Sequence, residues 1–379
     1  MKNRDKSLLE KAEKILKGNI YHEVGKYPWG QYRMIAPSRY PGFKGIWNWD
    51  SAFHAIGMIS IDIELAKEQI LGFLQFQKEN GFLPDVIREN GTIEDRIGKP
   101  PVMAWASLRV YEASRDNEFL QTVYEALVKN EDFWVKERMQ GGLFHYDAER
   151  RDDCDDEEYR ICVSWESGWD EHPRWDQEPQ NIWPVDLNSY MVMTYDALTL
   201  MARHLGFNDI QWIEKSKMLK NLIDEVLWDE KRGSYLDYNF KTQSFLTILS
   251  PASFMPLFVG FASKERAEKM NNIAKKHFMP CMPMVAFDDP KFDVTAYCRG
   301  ACWLHMAYMA AKGLKDYGFD DTADTIKNTI LNWVHNDGDM IHENYNSLTG
   351  EGKCNAYFSW SCVFVREFIL NFERSTLNE

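Results

Sequence analysis

The strongest constraint on the fold is helical periodicity that recurs along almost the whole chain. Apolar residues return at the i, i+3, i+4, i+7 spacing of one helix face, segment after segment. In 63–79, for example, Leu65, Ile70, Leu74 and Gln77 follow that spacing and leave Lys67, Glu68 and Lys78 for solvent. The pattern predicts helices over 6–16, 51–60, 63–79, 102–114, 118–140, 187–204, 209–228, 264–277, 300–317, 321–336 and 358–371. Asp50, Asp62, Asn117, Asn208 and Asp320 precede helices as N-caps. Strand alternation is confined to 234–240 beside Gly233, which predicts a short hairpin. No Gly/Ser/Pro linker or compositional break divides residues 1–379, so one domain is expected. Sequential helix pairs suit a closed ring of helix hairpins; an open helical solenoid fits the same pattern.

Hydrophobic residues make up 45% and aromatics 14%, enough for a large core, so disorder is not expected. A net charge of −14 argues against nucleic-acid partners, which need a basic surface. The chain has no apolar stretch of about 18 residues for a membrane span. Residues 1–18 read as an amphipathic helix, unlike a secretory signal. The seven cysteines include no CxxC pair, so zinc is not expected. They read as buried free thiols in a reducing compartment, with Cys298 and Cys302 on one helix face, and the expected location is cytoplasmic. With no Gly-rich phosphate loop and no Gly-x-Ser-x-Gly elbow, no cofactor is expected.

Chemistry concentrates in four segments. Ser164 to Trp175 sets Trp165, Trp169 and Trp175 beside Glu166, Asp170, Glu171 and Arg174, around the lone Gly168. Acids among aromatic faces suit a sugar: rings cover C–H faces, carboxylates take hydroxyls, and partial desolvation keeps one carboxyl protonated. Phe43 to His54 places Trp47, Trp49 and Asp50 at a helix start, where Asp50 is either a cap or a ligand group. In Tyr297 to Trp303, Arg299 opens a helix and either binds hydroxyls or pairs with a core acid. Ile341 to Gly352 holds Glu343 between His342 and Asn344-Tyr345. Loop tryptophans beside acids point to a ligand site, whereas Trp134 and Trp333 fall mid-helix, where core tryptophans belong. Asp170 and Glu343, distant in sequence, fit the two carboxyls of glycoside hydrolysis, with the stereochemistry left open. The acidic run 152–158 lacks calcium-loop spacing and reads as a solvated, mobile loop. His54, His172 and His342 are not at metal spacing, so no metal is expected.

Together the segments resemble glycoside hydrolase family 63, especially its small bacterial members acting on mannosylglycerate or glucosylglycerate, and more remotely the family 37 trehalases. Ser167-Gly168-Trp169-Asp170 with Pro173-Arg174-Trp175 resembles the general-acid segment, and Trp47-Asn48-Trp49-Asp50 the sugar-binding loop. Gly81-Phe82-Leu83-Pro84-Asp85 and Lys99-Pro100-Pro101 with Trp105 resemble loops of the barrel mouth. Arg299-Gly300 with Trp303 resembles the Arg-Gly-x-x-Trp element. Glu343-Asn344-Tyr345, Thr349-Gly350 and Phe358-Ser359-Trp360-Ser361 resemble the general-base segment. The resemblance spans Tyr32 to Phe368. It implies an all-α (α/α)6 toroid with short β-hairpins in its loops. The implied enzyme is an inverting α-glycosidase of a short soluble α-glucoside or α-mannoside, with Asp170 as acid and Glu343 as base. Expected around the substrate are Phe43, Trp47, Trp49, Asp50, Asp85 and Gly168. Trp169, Arg174, Trp175, Arg299, Trp303, Tyr345 and Trp360 complete the expected set. The expected partner is a small carbohydrate. Two other classes fit a helical toroid: a sugar epimerase or isomerase working through histidines, which releases no aglycone, and a carbohydrate-binding relative that cleaves nothing.

Overall fold

A computed structural model describes residues 2–38, 43–152, 154–176 and 178–374. The helices are α1 (Asn3–Gly18), α2 (Asn48–Met58), α3 (Ile63–Leu74), α4 (Met103–Ser114), α5 (Asn117–Glu137), α6 (Asp156–Ser167) and α7 (Val185–Leu205). They continue with α8 (Ile210–Val226), α9 (Met255–Val259), α10 (Lys264–Ile273), α11 (Leu304–Asp316), α12 (Asp320–Asn336) and α13 (Ser359–Leu370). Six of them pack in sequence as an inner ring, α2 on α4, α4 on α7, α7 on α9, α9 on α11 and α11 on α13. Helix α13 then packs on α2, which closes the ring and sets aside the open solenoid. Gly57 permits that closure: a Cβ there would meet Val363 of α13 at 2.6 Å.

The burial pattern follows the two layers. Every residue of α2 is buried, as are Leu304–Leu314 of α11, because an inner helix meets neighbours on all sides. Outer helices bury one stripe. On α8 it is Trp212, Ser216, Leu219 and Ile223, and on α12 it includes Thr322, Ile326, Ile330 and Val334. No helix of the described residues is long and apolar enough to cross a membrane.

Several boundaries differ from the sequence pattern for identifiable reasons. Helix α3 stops at Leu74 because Gln77 leaves the helix to donate to Ala126 O at 2.8 Å and Gly81 O at 3.1 Å. Helix α5 yields to a hairpin, Met139–Gln140 against Leu143–Phe144. The residues around Gly233 form two small antiparallel pairs, Trp228–Asp229 with Ser234–Tyr235 and Tyr238–Asn239 with Ser244–Phe245. Helix α11 begins at Leu304, so Cys298 and Cys302 sit in the preceding loop, not on a helix face. Among the expected caps, Asp62 accepts from Leu65 N at 3.0 Å, while Asp116 takes the place expected of Asn117. Asn208 accepts from Ile210 N at 2.9 Å, just outside α8, and Asp320 is already inside α12.

Among the described residues, the acidic run is a loop only in its first half, and from Asp156 it is helical. Asp155 caps α6 by accepting from Glu158 N at 2.8 Å, and Asp156, Glu157 and Glu158 fill its first turn, where the helix dipole favours negative charge. Asp153 lies outside the described residues. Short α9 also escapes the periodicity, because five residues with Pro256 hold little more than one turn.

Candidate active site

One mouth of the ring holds a cavity of about 490 Å³, with the space open to solvent, lined by residues from five loops and the helix starts that follow them. Trp47 is extended and ends the strand Gly45–Trp47, so α2 starts at Asn48 and turns Trp49 and Asp50 into the cavity. Asn48 donates through its backbone to Asp85 O (2.9 Å) and through its side chain to Pro84 O (3.1 Å), tying the 81–85 loop to the start of α2.

Helix α6 ends at Gly168, whose φ of +70° is the left-handed cap that favours glycine. The Trp49 ring lies where a Cβ would stand, 2.4 Å away. The chain therefore crosses the face of Trp49 directly before Asp170. Behind it, buried Glu166 accepts from Gly98 N (3.1 Å), Asp147 N (2.7 Å) and the Arg138 guanidinium (3.1 and 3.2 Å). That holds Lys99 against α6, where its ammonium donates to Trp165 O and lies 3.4 Å from Asp85.

The facing loops carry Glu343. Cys302 and Tyr345 exchange backbone bonds of 2.8 and 3.0 Å, joining the approach to α11 with the Glu343 loop. Ser361 Oγ donates to Glu343 O at 3.1 Å, and Trp303 Nε1 to Tyr297 O at 3.1 Å. The Glu343 carboxylate accepts from the Tyr297 hydroxyl at Oε1 and from Asn355 Nδ2 at Oε2 (2.7 Å). Trp360 lies 5.1 Å from Trp49 and 5.7 Å from Trp303, ring centre to ring centre, and Phe43 lies 5.2 Å from Trp47.

Three carboxyls share this space with one ammonium, and a fourth, Asp85, lies behind that ammonium. Burial raises all four: Asp50 to about 8, Asp85 to about 6, and Asp170 and Glu343 above their ordinary range. Lys99 pulls Asp50, Asp85 and Asp170 back down, whereas Tyr297 and Asn355 do so for Glu343. Asp170 accepts no hydrogen bond from another side chain among the described residues, which leaves its carboxyl open to the cavity. The two carboxyls also feel each other, since the Asp170 charge is among the causes that raise Glu343. A carboxyl without a side-chain donor opposite one that accepts from two side chains is the asymmetry that acid–base chemistry on a glycosidic bond requires.

The structure brings together Phe43, Trp47, Trp49, Asp50, Gly168, Asp170, Trp303, Glu343 and Trp360. Asp50 is not a cap; it lies in the first turn of α2 with its side chain in the cavity. Other expected residues lie elsewhere. Trp169 and Trp175 are fully buried and sandwich the Arg174 guanidinium at 4.0 and 4.4 Å. Arg174 makes a two-pronged pair with Asp186 (2.9 and 2.9 Å), beneath the cavity, not in its wall. Arg299 pairs with Asp176 at 2.6 and 3.3 Å, so it forms an ion pair as the alternative expected, but with an exposed acid and not a core one. The Tyr345 hydroxyl bonds Asp337 at 3.0 Å, and Asp85 sits behind Lys99. Lys99, Tyr297 and Phe358 line the cavity; their segments were singled out from the sequence, but they were not among the residues expected around the substrate. Their signals were Lys99-Pro100-Pro101 and Tyr297 directly ahead of Cys298-Arg299-Gly300.

A closed double ring of helices with an acid-rich aromatic cavity at one mouth defines a carbohydrate-active helical toroid. The family model described as the mannosylglycerate hydrolase MGH1-like glycoside hydrolase domain matches residues 44–361, and the chain belongs to that family of glycoside hydrolases. A mannosylglycerate hydrolase of Rubrobacter radiotolerans is 22% identical over 90% of this chain and 93% of its own. Mannosylglycerate hydrolase MGH1 of Selaginella moellendorffii is 24% identical over 94% and 84%. The fold is similar to that of a family 63 mannosylglycerate hydrolase from Thermus thermophilus solved with glucose: TM-score 0.80, 23% identity, 96% and 99% coverage. It is also similar to neutral trehalase Nth1 of Saccharomyces cerevisiae: TM-score 0.75, 16% identity, 94% and 79% coverage. Family membership sets the epimerase alternative aside, and no histidine lines the cavity among the described residues.

Proposed function

We propose that the protein hydrolyses a glycosylglycerate, an α-mannoside or α-glucoside of glycerate, with inversion at the anomeric carbon. The observation that carries this reading is the meeting of Asp170 and Glu343 in one aromatic cavity, the first without a side-chain hydrogen-bond donor and the second with two. Asp170, protonated through burial, gives its proton to the departing glycosidic oxygen. Glu343, held as carboxylate by Tyr297 and Asn355, takes a proton from the water that attacks the opposite face of the sugar. Trp49, Trp303 and Trp360 offer ring faces to the sugar C–H groups. Asp50, with its pKa near 8, is largely neutral at pH 7 and both donates to and accepts from a hydroxyl.

An acid-rich cavity repels a negatively charged substrate unless a cation offsets it. Lys99 is the one cationic side chain in the lining among the described residues, and it receives the carboxylate end of the aglycone in this reading. The relatives named mannosylglycerate hydrolase support the same substrate class. The seven cysteines are all free, which suits a reducing, cytoplasmic setting.

The experiment is hydrolysis of mannosylglycerate, glucosylglycerate and neutral aryl α-glycosides, with the anomer of the first product followed by proton NMR. Inversion with a preference for the charged aglycone supports the reading, and Lys99→Gln should erase that preference. Retention of configuration defeats the mechanism. Saturable sugar binding without turnover of any glycoside identifies a binding relative instead.

A further inference from the structure

The end of the ring opposite the catalytic mouth holds another cavity, of about 980 Å³ with the space open to solvent. It forms where three inner helices finish. Ser60 follows α2, Ala113 lies in the last turn of α4, and Asn371 follows α13. Three arginines line it, Arg109, Arg366 and Arg374, beside two acids, Glu112 and Glu367. Arg109 is satisfied by a two-pronged pair with Glu367 (2.8 and 3.1 Å). Asn371 (2.8 Å) and the Tyr308 hydroxyl (3.3 Å) donate to the same carboxylate, so Glu367 has no capacity left for another arginine.

Arg366 is different. It is only 6% exposed, donates to Ser60 Oγ at 2.7 Å, and forms no ion pair among the described residues. Burial depresses its guanidinium by more than the charges of Glu13 and Glu367 raise it, against the direction that paired Arg109 takes. Arg374, at the exposed rim, also has no side-chain partner among the described residues. Three helix C-termini bring partial negative charge, roughly half a unit each, which draws arginines to this end. Those partial charges do not occupy the donors of a guanidinium fork as an oxyanion does.

We infer that this cavity binds a small tetrahedral oxyanion, free phosphate or the phosphoryl group of a sugar phosphate, on Arg366, Ser60 and Arg374. Two unpaired guanidinia and a hydroxyl offer more donors than the two oxygens of a carboxylate use, and the oxygens of a phosphoryl group match them. The inference is independent of the catalytic reading, since none of these residues lines the catalytic cavity.

The test is calorimetric titration of the full chain with inorganic phosphate, with glucose 6-phosphate and with D-glycerate, at constant ionic strength. Saturable 1:1 binding of phosphate supports the site, and binding of glucose 6-phosphate alone supports it with a sugar phosphate as the source. Arg366→Met should abolish that binding and Arg374→Gln weaken it at least fivefold, with glycoside turnover of Arg374→Gln unchanged. If Arg366→Met fails to fold, Arg374→Gln carries the test. No saturable heat with either phosphate, a response to D-glycerate alone, or wild-type affinity in Arg374→Gln overturns the inference and leaves the arginines as caps of helix ends.

Discussion

Two clusters of tryptophan and carboxylate lie within a few residues of each other, and their fates are opposite. Around Arg174, two indoles clamp a guanidinium whose charge is met by Asp186, and the cluster is sealed from solvent. Around Asp170, indoles border an open cavity, and the carboxyl is drawn down by Lys99 and its own backbone N–H, with no side-chain donor. The residue types are the same. What separates scaffold from reactive site is whether the carboxyl has a partner. A matched buried pair holds structure, while burial raises an acid without a side-chain donor and leaves it open to a ligand.

That contrast can be broken from either side. Asp170→Asn should lower kcat by about 10²–10⁴-fold with sugar binding retained, measured as turnover beside ligand titration. Unchanged turnover would place the acid elsewhere. On the scaffold side, Asp186→Asn leaves Arg174 only its longer, 3.5 Å pair with Asp237 in a buried site. It should cost about 3–5 kcal/mol of stability in denaturant melts, while the folded fraction keeps its kcat. A loss of turnover with full stability would make Arg174 part of the reactive site.

Gly168→Ala pushes a Cβ into Trp49 and should shift Asp170, lowering kcat/KM by about 10²-fold. Asp50→Asn sharpens the comparison through pH. The folded carboxyl titrates near 8 against an ordinary 3.8, so the native chain loses stability as pH rises from about 4 to about 8. Removing the charge should raise the melting temperature by about 2 °C or more at pH 8 and barely change it at pH 4. The smallest effect belongs to Arg299→Gln. Its pair with Asp176 is about a quarter exposed, so about 1 kcal/mol or less of stability and little change in KM are expected. A tenfold rise in KM would return Arg299 to the substrate.

Much of this was legible beforehand because helical spacing survives without knowledge of neighbours. The apolar stripe of α8 or α12 is a local property of the chain, and so were the cap at Asp62 and most boundaries. Helix α6 was not legible, since its first turn is a run of acids that reads as loop until the dipole and the Asp155 cap are seen. Cavity lining was legible where an aromatic residue adjoins an acid at a helix start, as at Trp49-Asp50. It was misleading where the same signature turns inward, as at Trp169 and Trp175. Lys99 was placed at the barrel mouth but given no role, because its importance comes from carboxyls on other loops, which no local pattern displays.

The order of amphipathic segments, the concentration of tryptophan and acid at their ends, and the family that these motifs define are properties of the linear chain. Periodicity and local motif chemistry are enough to express them. Ring closure, the choice of which carboxyl stays unpaired, and the separation of a reactive mouth from an arginine-lined base belong to the tertiary structure alone. Each depends on which loops meet and how much water they exclude, and both desolvation and charge pairing act through space between residues far apart in the sequence.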